Sequence, residues 1–291
     1  MKFGIHSLLF SETFGECDLP LLDKARAMGF DALEIIPFDA DSFPAAKVKQ
    51  RASDLGLDIY TGMGLPAHAN PISPVAGVRA AALTYSKRLI DLSAECGSKG
   101  YGGVTYAGWG YLTGKMRTES EWHWAVEHFH KLAEYAARVA PGLNLCVEPV
   151  NRFESHFINI AADAVAFCKE VGLPNVRVHL DSFHMIREED DFVGSVKTCG
   201  PLLGYVHACE NQRGIPGRGQ VPWMEFFRAL HAVNYQGCVT VESFDPNMPN
   251  IARLCCIWRK LAESPDELAA EGLRYLSEVA HAAGYREVKG L

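Results

Sequence analysis

Short apolar segments alternate with longer amphipathic segments along almost the whole chain of 291 residues. Each longer segment has the apolar spacing of a helix, and several end at a glycine just before the next short segment, as at Gly97 and Gly172. This alternation predicts an α/β fold with a parallel sheet, because parallel strands need a crossover between them. The predicted strands are residues 2–6, 32–36, 57–62, 100–105, 144–148, 176–180, 205–208 and 238–242.

Four polar residues come at the ends of the last four predicted strands: Glu148, Asp181, His207 and Glu242. The intervals between them are 33, 26 and 35 residues, about the length of a strand, a crossover helix and the next strand. In a closed parallel barrel the carboxyl ends of the strands meet at one mouth, so these side chains are expected to converge there. A single strand-end Asp or His is often only a helix cap, but four in one register favour a shared site.

The eight strand and helix units predict a single-domain (β/α)8 barrel over residues 1–291, with a C-terminal helical region at about 251–285. A doubly wound open sheet is the alternative architecture. It is less favoured because no GxGxxG fingerprint follows the first strand and because polar strand ends occur on four strands in succession.

Three carboxylates and one imidazole are a ligand set for a divalent metal ion. Oxygen-rich ligation with a single imidazole suits Mn²⁺, Co²⁺ or Mg²⁺ better than structural zinc, which prefers thiolate and histidine. We therefore predict a Mn²⁺ site, with Co²⁺ or Mg²⁺ as alternatives. Glu34, on the second predicted strand, is a candidate hydrogen-bond acceptor behind the ligands.

Further polar side chains lie on the loops after these strands. Glu154, His184 and Arg213 each come three to six residues after a predicted ligand, and the loops at this end of a barrel face the site. They are candidate contacts to substrate oxygens, although a solvated loop arginine or a helix-capping histidine would give the same pattern. Residues at other strand ends are expected to complete a pocket: His6, Gly64, Leu65, Trp109 and Phe244.

The composition argues against several classes of function. There are 28 Lys and Arg against 35 Asp and Glu, a net charge of −7 with no basic block, which argues against a nucleic-acid or anionic-membrane partner. The sequence has no run of 18 consecutive apolar residues, so we expect no membrane span, and the first 16 residues lack a signal-peptide pattern. Nine cysteines, an odd number with no C-x-x-C pair, indicate reduced thiols and a cytoplasmic protein.

The motifs EPVNRFE, LDSFHM, VHACENQRG and VESF, followed by CIWRKL, resemble the ketose 3-epimerases, the family of D-tagatose, D-allulose and L-ribulose 3-epimerases. This resemblance runs nearly end to end and implies a (β/α)8 barrel of the wider xylose-isomerase-like group, with a divalent metal, as a homodimer or homotetramer. It implies that Glu148 and Glu242 are both metal ligands and acid/base carboxylates, and that Asp181 and His207 complete the metal site. The substrate-oxygen contacts that it implies are Glu154, His184 and Arg213.

The chain departs from this family's pattern in places. Ile186 stands where many relatives have Asn, Cys209 stands where Gly is usual, and the AGWGYLTGK and GLPAHANPISP loops differ among relatives. None of these changes touches the predicted ligands, so the reaction class is unaffected, whereas the preferred sugar does not follow from the sequence.

The expected activity is that of an isomerase that inverts C3 of a free ketose by proton exchange between two carboxylates, through a cis-enediolate. An aldose–ketose isomerase or a sugar-acid dehydratase on the same barrel remains an alternative. An abasic-site endonuclease is less favoured, because it would require more histidines and a basic rim. A catalytically silent ligand-binding barrel is also less favoured, because it would not need the acid pair.

Overall fold

The computed structural model describes residues 1–286, whose backbone forms a closed barrel of eight parallel strands in chain order. Pairing of the first strand with the last closes the ring, with Lys2 opposite Cys238. The predicted (β/α)8 architecture is therefore confirmed, and the last five residues of the predicted 1–291 domain lie outside the described residues. The strands are β1 (Lys2–His6), β2 (Ala32–Ile35), β3 (Asp58–Gly62), β4 (Gly100–Gly102), β5 (Asn144–Val147), β6 (Val176–Asp181), β7 (Leu203–Ala208) and β8 (Cys238–Val241).

Helices connect the strands and pack around them, each with one buried face. In the fourth helix the buried residues include Ala125, Phe129, Leu132 and Ala136, which recur at the spacing of one helical face. The helices are α1 (Pro20–Ala27), α2 (Ala45–Leu55), α3 (Ala76–Cys96), α4 (Glu119–Val139), α5 (Ala161–Val171), α6 (Ser182–Glu188), α7 (Phe192–Cys199), α8 (Trp223–Ala232), α9 (Pro249–Leu254) and α10 (Pro265–Ala282). Within the described residues, none of these helices is long and apolar enough to cross a bilayer.

Local sequence signals set the ends of several helices. At the start of α4, Thr118 and Glu121 form a capping box in which each side chain accepts a hydrogen bond from the other residue's backbone N–H. The helices α3 and α5 end at Gly97 and Gly172, which adopt the left-handed conformation with φ of 75° and 74°.

The structure differs from the sequence prediction in a few elements. The strand β4 stops at Gly102 because Gly103 turns the chain at φ +95°, where a Cβ atom would lie 2.5 Å from the Met63 carbonyl oxygen. The short helix α6 was not expected, since seven residues are too few to show helical periodicity. The C-terminal helical region consists of two helices, α9 and α10, separated by residues 255–264.

The interior of the barrel is filled by side chains from alternate strand positions. Towards the amino-terminal ends of the strands, Cys146, Tyr205 and Cys238 pack together, and Tyr60 stacks on Tyr205 with ring centroids 4.5 Å apart. This packed layer fills the interior at the amino-terminal ends of the strands, so the open end of the barrel is the mouth formed by their carboxyl ends.

Candidate active site

The side chains of Glu148, Asp181, His207 and Glu242 converge at this mouth. The Nδ1 atom of His207 lies 4.0 Å from Glu148 Oε1, 3.9 Å from Asp181 Oδ2 and 3.5 Å from Glu242 Oε1. The four residues stand within one residue of the ends of β5 to β8, as their spacing in the sequence predicts. The barrel thus brings three carboxylates around one imidazole nitrogen.

Two atoms of this cluster are buried without a hydrogen-bond partner in the described structure: Asp181 Oδ2 and His207 Nδ1. Buried polar atoms are nearly always paired, because an unpaired one costs free energy of desolvation. Asp181, His207 and Glu242 each offer one ligand atom, and these three atoms lie within 4.8 Å of one another. The unpaired atoms and the oxygen-rich donor set fit a divalent cation.

Glu34 lies directly behind the imidazole of His207. Its Oε2 atom is 2.6 Å from His207 Nε2 and also accepts a hydrogen bond from the Tyr205 hydroxyl at 2.7 Å. Burial disfavours the imidazolium, but the charges of Glu34 and Glu242 outweigh it and raise the pKa of His207 to about 10. The carboxylate therefore orients the ring so that Nδ1 faces the three acids, the arrangement found behind metal-binding histidines.

The three carboxyl groups differ in their electrostatic surroundings. Burial, together with the charge of Glu242, raises the pKa of Asp181 to about 8. Burial and then the charges of Asp181 and Glu242 raise the pKa of Glu148 well above its ordinary value. Burial would also raise the pKa of Glu242, but the guanidinium of Arg213 and then the imidazole of His207 outweigh it and hold that pKa below the ordinary value. Without a cation, the cluster therefore retains protons that a bound cation would replace.

Arg213 is held inside the site, in contrast to the alternative of a solvated loop arginine. Its side chain is 7% exposed, and its guanidinium contacts Glu242 Oε2 and lies 3.9 Å from both Asp181 Oδ2 and Glu154 Oε1. The guanidinium also stacks 3.8 Å above the centroid of the Phe183 ring. Arg213 thus presents a fixed positive charge to the carboxylate cluster.

His184 faces the same cluster, and its hydrogen bonds determine which ring nitrogen carries the proton. Its Nδ1 atom accepts a hydrogen bond from the backbone N–H of Asn151 at 3.1 Å, and the side-chain amide nitrogen of Asn151 lies 2.9 Å from the same atom. Because a backbone N–H can only donate, Nδ1 accepts and the ring proton resides on Nε2, which is 3.8 Å from both Glu148 Oε1 and Asp181 Oδ2. Burial lowers the pKa of His184 to about 4, so the ring is a neutral N–H donor at neutral pH.

Glu154 connects this side of the site to the pocket wall. It accepts hydrogen bonds from the Trp109 indole at 2.9 Å and from the Asn151 amide at 3.0 Å. The Trp109 ring packs directly on Gly64, where a Cβ atom would lie 2.9 Å from the ring. Gly64 and Trp109 therefore fit together as one part of the wall.

A cavity opens above the cluster, and most of the predicted pocket residues line it. Among them are His6, Gly64, Trp109, Glu154, His184, Arg213 and Phe244, together with Glu148, His207 and Glu242. Asp181 and Leu65 are not among the residues that line it: Asp181 lies buried beside His207, and Leu65 is fully buried. Besides the predicted Trp109 and Phe244, the wall has further apolar residues that sequence analysis missed: Leu8, Ile36, Phe38, Met63, Val104, Val150 and Cys255.

His179 is a further buried group that sequence analysis missed. It lies on β6, its two ring nitrogens have no hydrogen-bond partner in the described structure, and Nδ1 is 3.8 Å from Glu148 Oε2. Side chains two residues apart on a strand point to the same face, so its position relative to Asp181 could have indicated this placement.

Comparison with known proteins gives a consistent result. The family described as xylose isomerase-like TIM barrel matches residues 22–279. The chain is 34% identical to the D-psicose 3-epimerase of Agrobacterium fabrum (91% of this chain, 93% of that protein) and 31% identical to the L-ribulose 3-epimerase of Methylomonas sp. (96% and 97%). A solved structure of an L-ribulose 3-epimerase superposes with a TM-score of 0.92 at 31% identity, covering 97% of this chain and 95% of that one.

Proposed function

This chain belongs to the xylose isomerase-like TIM barrel family and to its ketose 3-epimerases, and from that premise we propose that it is an isomerase that inverts C3 of a free ketose in a metal-dependent reaction. The observation that carries this proposal is the cluster at the barrel mouth. Two glutamates, Glu148 and Glu242, stand within 4.0 Å of the same imidazole nitrogen of His207, in a cavity with polar and apolar walls.

The proposed ligands of the cation are Glu148, Asp181, His207 and Glu242. A bound divalent cation would neutralise the negative charge that develops on the substrate oxygens next to C3. We propose Mn²⁺, with Co²⁺ or Mg²⁺ as alternatives, because the donor set has three carboxylates and only one imidazole.

Glu148 and Glu242 are the proposed acid and base. A ketose C3–H is weakly acidic beside the C2 carbonyl, so one carboxylate can remove this proton while the other, already protonated, supplies a proton to the opposite face. The two groups are electrostatically unequal: Arg213 contacts Glu242, whereas within residues 1–286 no lysine or arginine nitrogen lies within 4.0 Å of Glu148. Such a difference supports one ionised and one protonated carboxyl at the start of a turnover, with the roles exchanged in the reverse direction.

The remaining polar groups suit the oxygens of a free sugar. The His184 Nε2–H and the Arg213 guanidinium are proposed to donate to the oxygens next to C3, and Glu154 to accept from a hydroxyl group. Arg213 is the only lysine or arginine in the part of the cavity wall that the structure describes, and its positive charge is already paired with the carboxylate of Glu242. A phosphorylated sugar would need a further anion site, so we propose an unphosphorylated substrate.

We also propose a homodimer or homotetramer in the cytoplasm. Exposed apolar side chains near the mouth support self-association, notably Met116 at 89% and Phe153 at 72% exposure. All nine cysteines are free thiols, which supports a reducing compartment.

Turnover in D₂O tests the reaction class. The protein, supplied with Mn²⁺, is incubated separately with D-fructose, D-tagatose, D-psicose and L-ribulose, and each product is analysed by chromatography and NMR. We expect the C3 epimer to carry deuterium at C3, and a metal-stripped sample to be inactive. Transfer of the substrate's own hydrogen between C1 and C2 would instead show an aldose–ketose isomerase, loss of water a dehydratase, and binding without a product a silent barrel.

A further inference from the structure

Glu210 is a fully buried carboxylate that the proposed reaction does not use. It follows β7 and accepts hydrogen bonds from five N–H groups, at distances between 2.9 and 3.1 Å. Four of the donors are the backbone amides of Asn211, Gly217, Gln220 and Val221, and the fifth is the indole of Trp223. Five donors and no acceptor are the surroundings of an ionised carboxylate.

The loop that supplies these donors is wrapped tightly around the carboxylate. A Cβ atom on Gly219 would lie 2.5 Å from Glu210 Oε1, so only a glycine allows this close approach. Within the described residues, no lysine or arginine nitrogen lies within 4.0 Å of Glu210 to neutralise it. The charge is therefore satisfied by the loop backbone and one indole, and the conformation of residues 211–221 depends on it.

The same loop carries Arg213 in an unfavourable backbone conformation. Its backbone φ angle is +61°, a value that is unfavourable for a residue with a Cβ atom and is kept when the surroundings hold the backbone there. Two contacts do so: the Arg213 N–H donates to the Glu210 carbonyl oxygen at 2.7 Å, and the Ser243 hydroxyl donates to the Arg213 carbonyl oxygen at 2.5 Å. The guanidinium consequently reaches Glu242 at the centre of the site.

We propose that Glu210 is a positioning residue for Arg213. Its carboxylate folds the 211–221 loop into the one arrangement that places the guanidinium on Glu242, and thereby contributes to the reaction without touching the substrate. The kinetic part of this inference rests on the proposed epimerase function, whereas the ordering of the loop does not.

A double-mutant cycle separates positioning from general stabilisation. We expect Glu210→Gln to lower kcat/KM by about 100-fold, because the amide lacks the charge and places N–H groups among N–H donors. In an Arg213→Ala background the same change is expected to lower kcat/KM by less than about 3-fold, since the group being positioned is already gone. Equal factors in both backgrounds would overturn the proposal, as would wild-type kinetics of Glu210→Gln.

Two further variants keep the cycle interpretable. Trp223→Phe removes one of the five donors and keeps an aromatic ring in the core, so we expect kcat/KM to fall by a smaller factor of about 3- to 10-fold. This variant tests the proposal if Glu210→Gln fails to fold. Glu225→Gln makes the same chemical change at an exposed position on α8 and is expected to leave the kinetics unchanged. A loss with Glu225→Gln, or none with Trp223→Phe, would contradict the assignment.

Amide hydrogen exchange of the metal-free protein gives a readout that does not need turnover. Glu210→Gln is expected to speed exchange at Gly217, Gln220 and Val221 by at least 10-fold while α4 stays as protected as in the wild type, and Arg213→Ala is expected to leave all of them protected. If the wild-type protein forms no epimer, the proposed function fails, and the exchange data still decide whether Glu210 orders the loop. Unchanged exchange in Glu210→Gln would overturn the inference whatever the activity.

Discussion

The Nε2 atom of His207 lies 2.6 Å from the Oε2 atom of Glu34, and this hydrogen bond determines which ring nitrogen faces the three carboxylates. Glu34 is itself held by the Tyr205 hydroxyl at 2.7 Å, and Tyr205 in turn contacts Thr240 at 2.6 Å. The orientation of a proposed metal ligand is therefore set by a chain of buried polar groups that extends down into the barrel interior.

Replacing Glu34 with glutamine is expected to weaken metal binding by about 10- to 100-fold, the usual cost of changing a carboxylate behind a metal-binding histidine. The amide keeps the shape but removes the charge that orients and polarises the imidazole. Isothermal titration of the metal-free protein with Mn²⁺ measures the change. Glu95→Gln, at an exposed position, is the control, and equal affinities for the two variants would show that Glu34 does not support the metal.

The stability of the metal-free protein is expected to fall as the pH rises from about 7 to 9. The pKa of Asp181 is raised to about 8 by burial and by Glu242, and that of His207 is raised to about 10 against burial by Glu34 and Glu242. A group whose pKa is higher in the folded than in the unfolded state stabilises the fold at low pH and loses this contribution as the pH passes its folded value. Urea denaturation at several pH values measures the trend.

Saturating Mn²⁺ should reduce this loss, because the cation replaces the protons that the cluster otherwise retains. The stabilisation by metal should therefore be larger at pH 8.5 than at pH 6.5. A metal-free protein whose stability rises over this range would show that the carboxyl groups are already ionised without a cation.

Much of this architecture follows from patterns that are local in the sequence. The eight strands and the ends of α3 and α5 at Gly97 and Gly172 follow from apolar periodicity and from the left-handed glycine at a helix end. The convergence of Glu148 and Glu242 also follows, because a closed barrel brings equivalent strand ends together.

Other features depend on contacts between distant segments, which a single sequence does not display. The Tyr205 and Glu34 hydrogen bond joins residues 171 positions apart, and the apolar wall formed by Ile36 and Cys255 comes from opposite ends of the chain. The burial of Arg213 likewise depends on how Glu210 folds its loop, since the loop sequence alone fits a solvated arginine equally well.

Changing either proposed acid/base residue to glutamine should nearly abolish turnover. Glu148→Gln and Glu242→Gln each remove a carboxylate that is proposed to exchange a proton with C3 of the substrate. Proton transfer by a positioned side chain is worth about 10²- to 10⁴-fold in rate. Both variants should be assayed at saturating Mn²⁺, with metal content measured directly, so that weaker metal binding is separated from lost proton transfer. A fully metallated variant with wild-type kcat would reject the two-carboxylate assignment.

His184 is expected to remain neutral, with its proton on Nε2, from pH 5 to pH 9. Burial lowers its pKa to about 4, and the Asn151 backbone N–H occupies Nδ1. The ¹⁵N chemical shifts of the imidazole, measured on ¹⁵N-histidine-labelled protein and assigned with His184→Gln, report the tautomer directly. Protonation of both ring nitrogens at pH 7 would mean that His184 is a cation and could act as an acid, and a proton on Nδ1 alone would mean that the assigned tautomer is wrong.

Gly64 is expected to be essential for the position of Trp109, because a Cβ atom there would lie 2.9 Å from the indole ring. Gly64→Ala should displace the ring, break its 2.9 Å hydrogen bond to Glu154 and raise KM about 10-fold or more, with a smaller effect on kcat, since the wall binds substrate but does not transfer protons. Gly77→Ala is the matched control: it lies on the exposed face of α3 with no atom within 4 Å of the added methyl group, and helix propensity predicts neutral or slightly higher stability. Steady-state kinetics on the preferred ketose and a thermal melt of both variants decide the question. An unchanged KM in Gly64→Ala would show that the Trp109 side of the cavity does not contact the sugar.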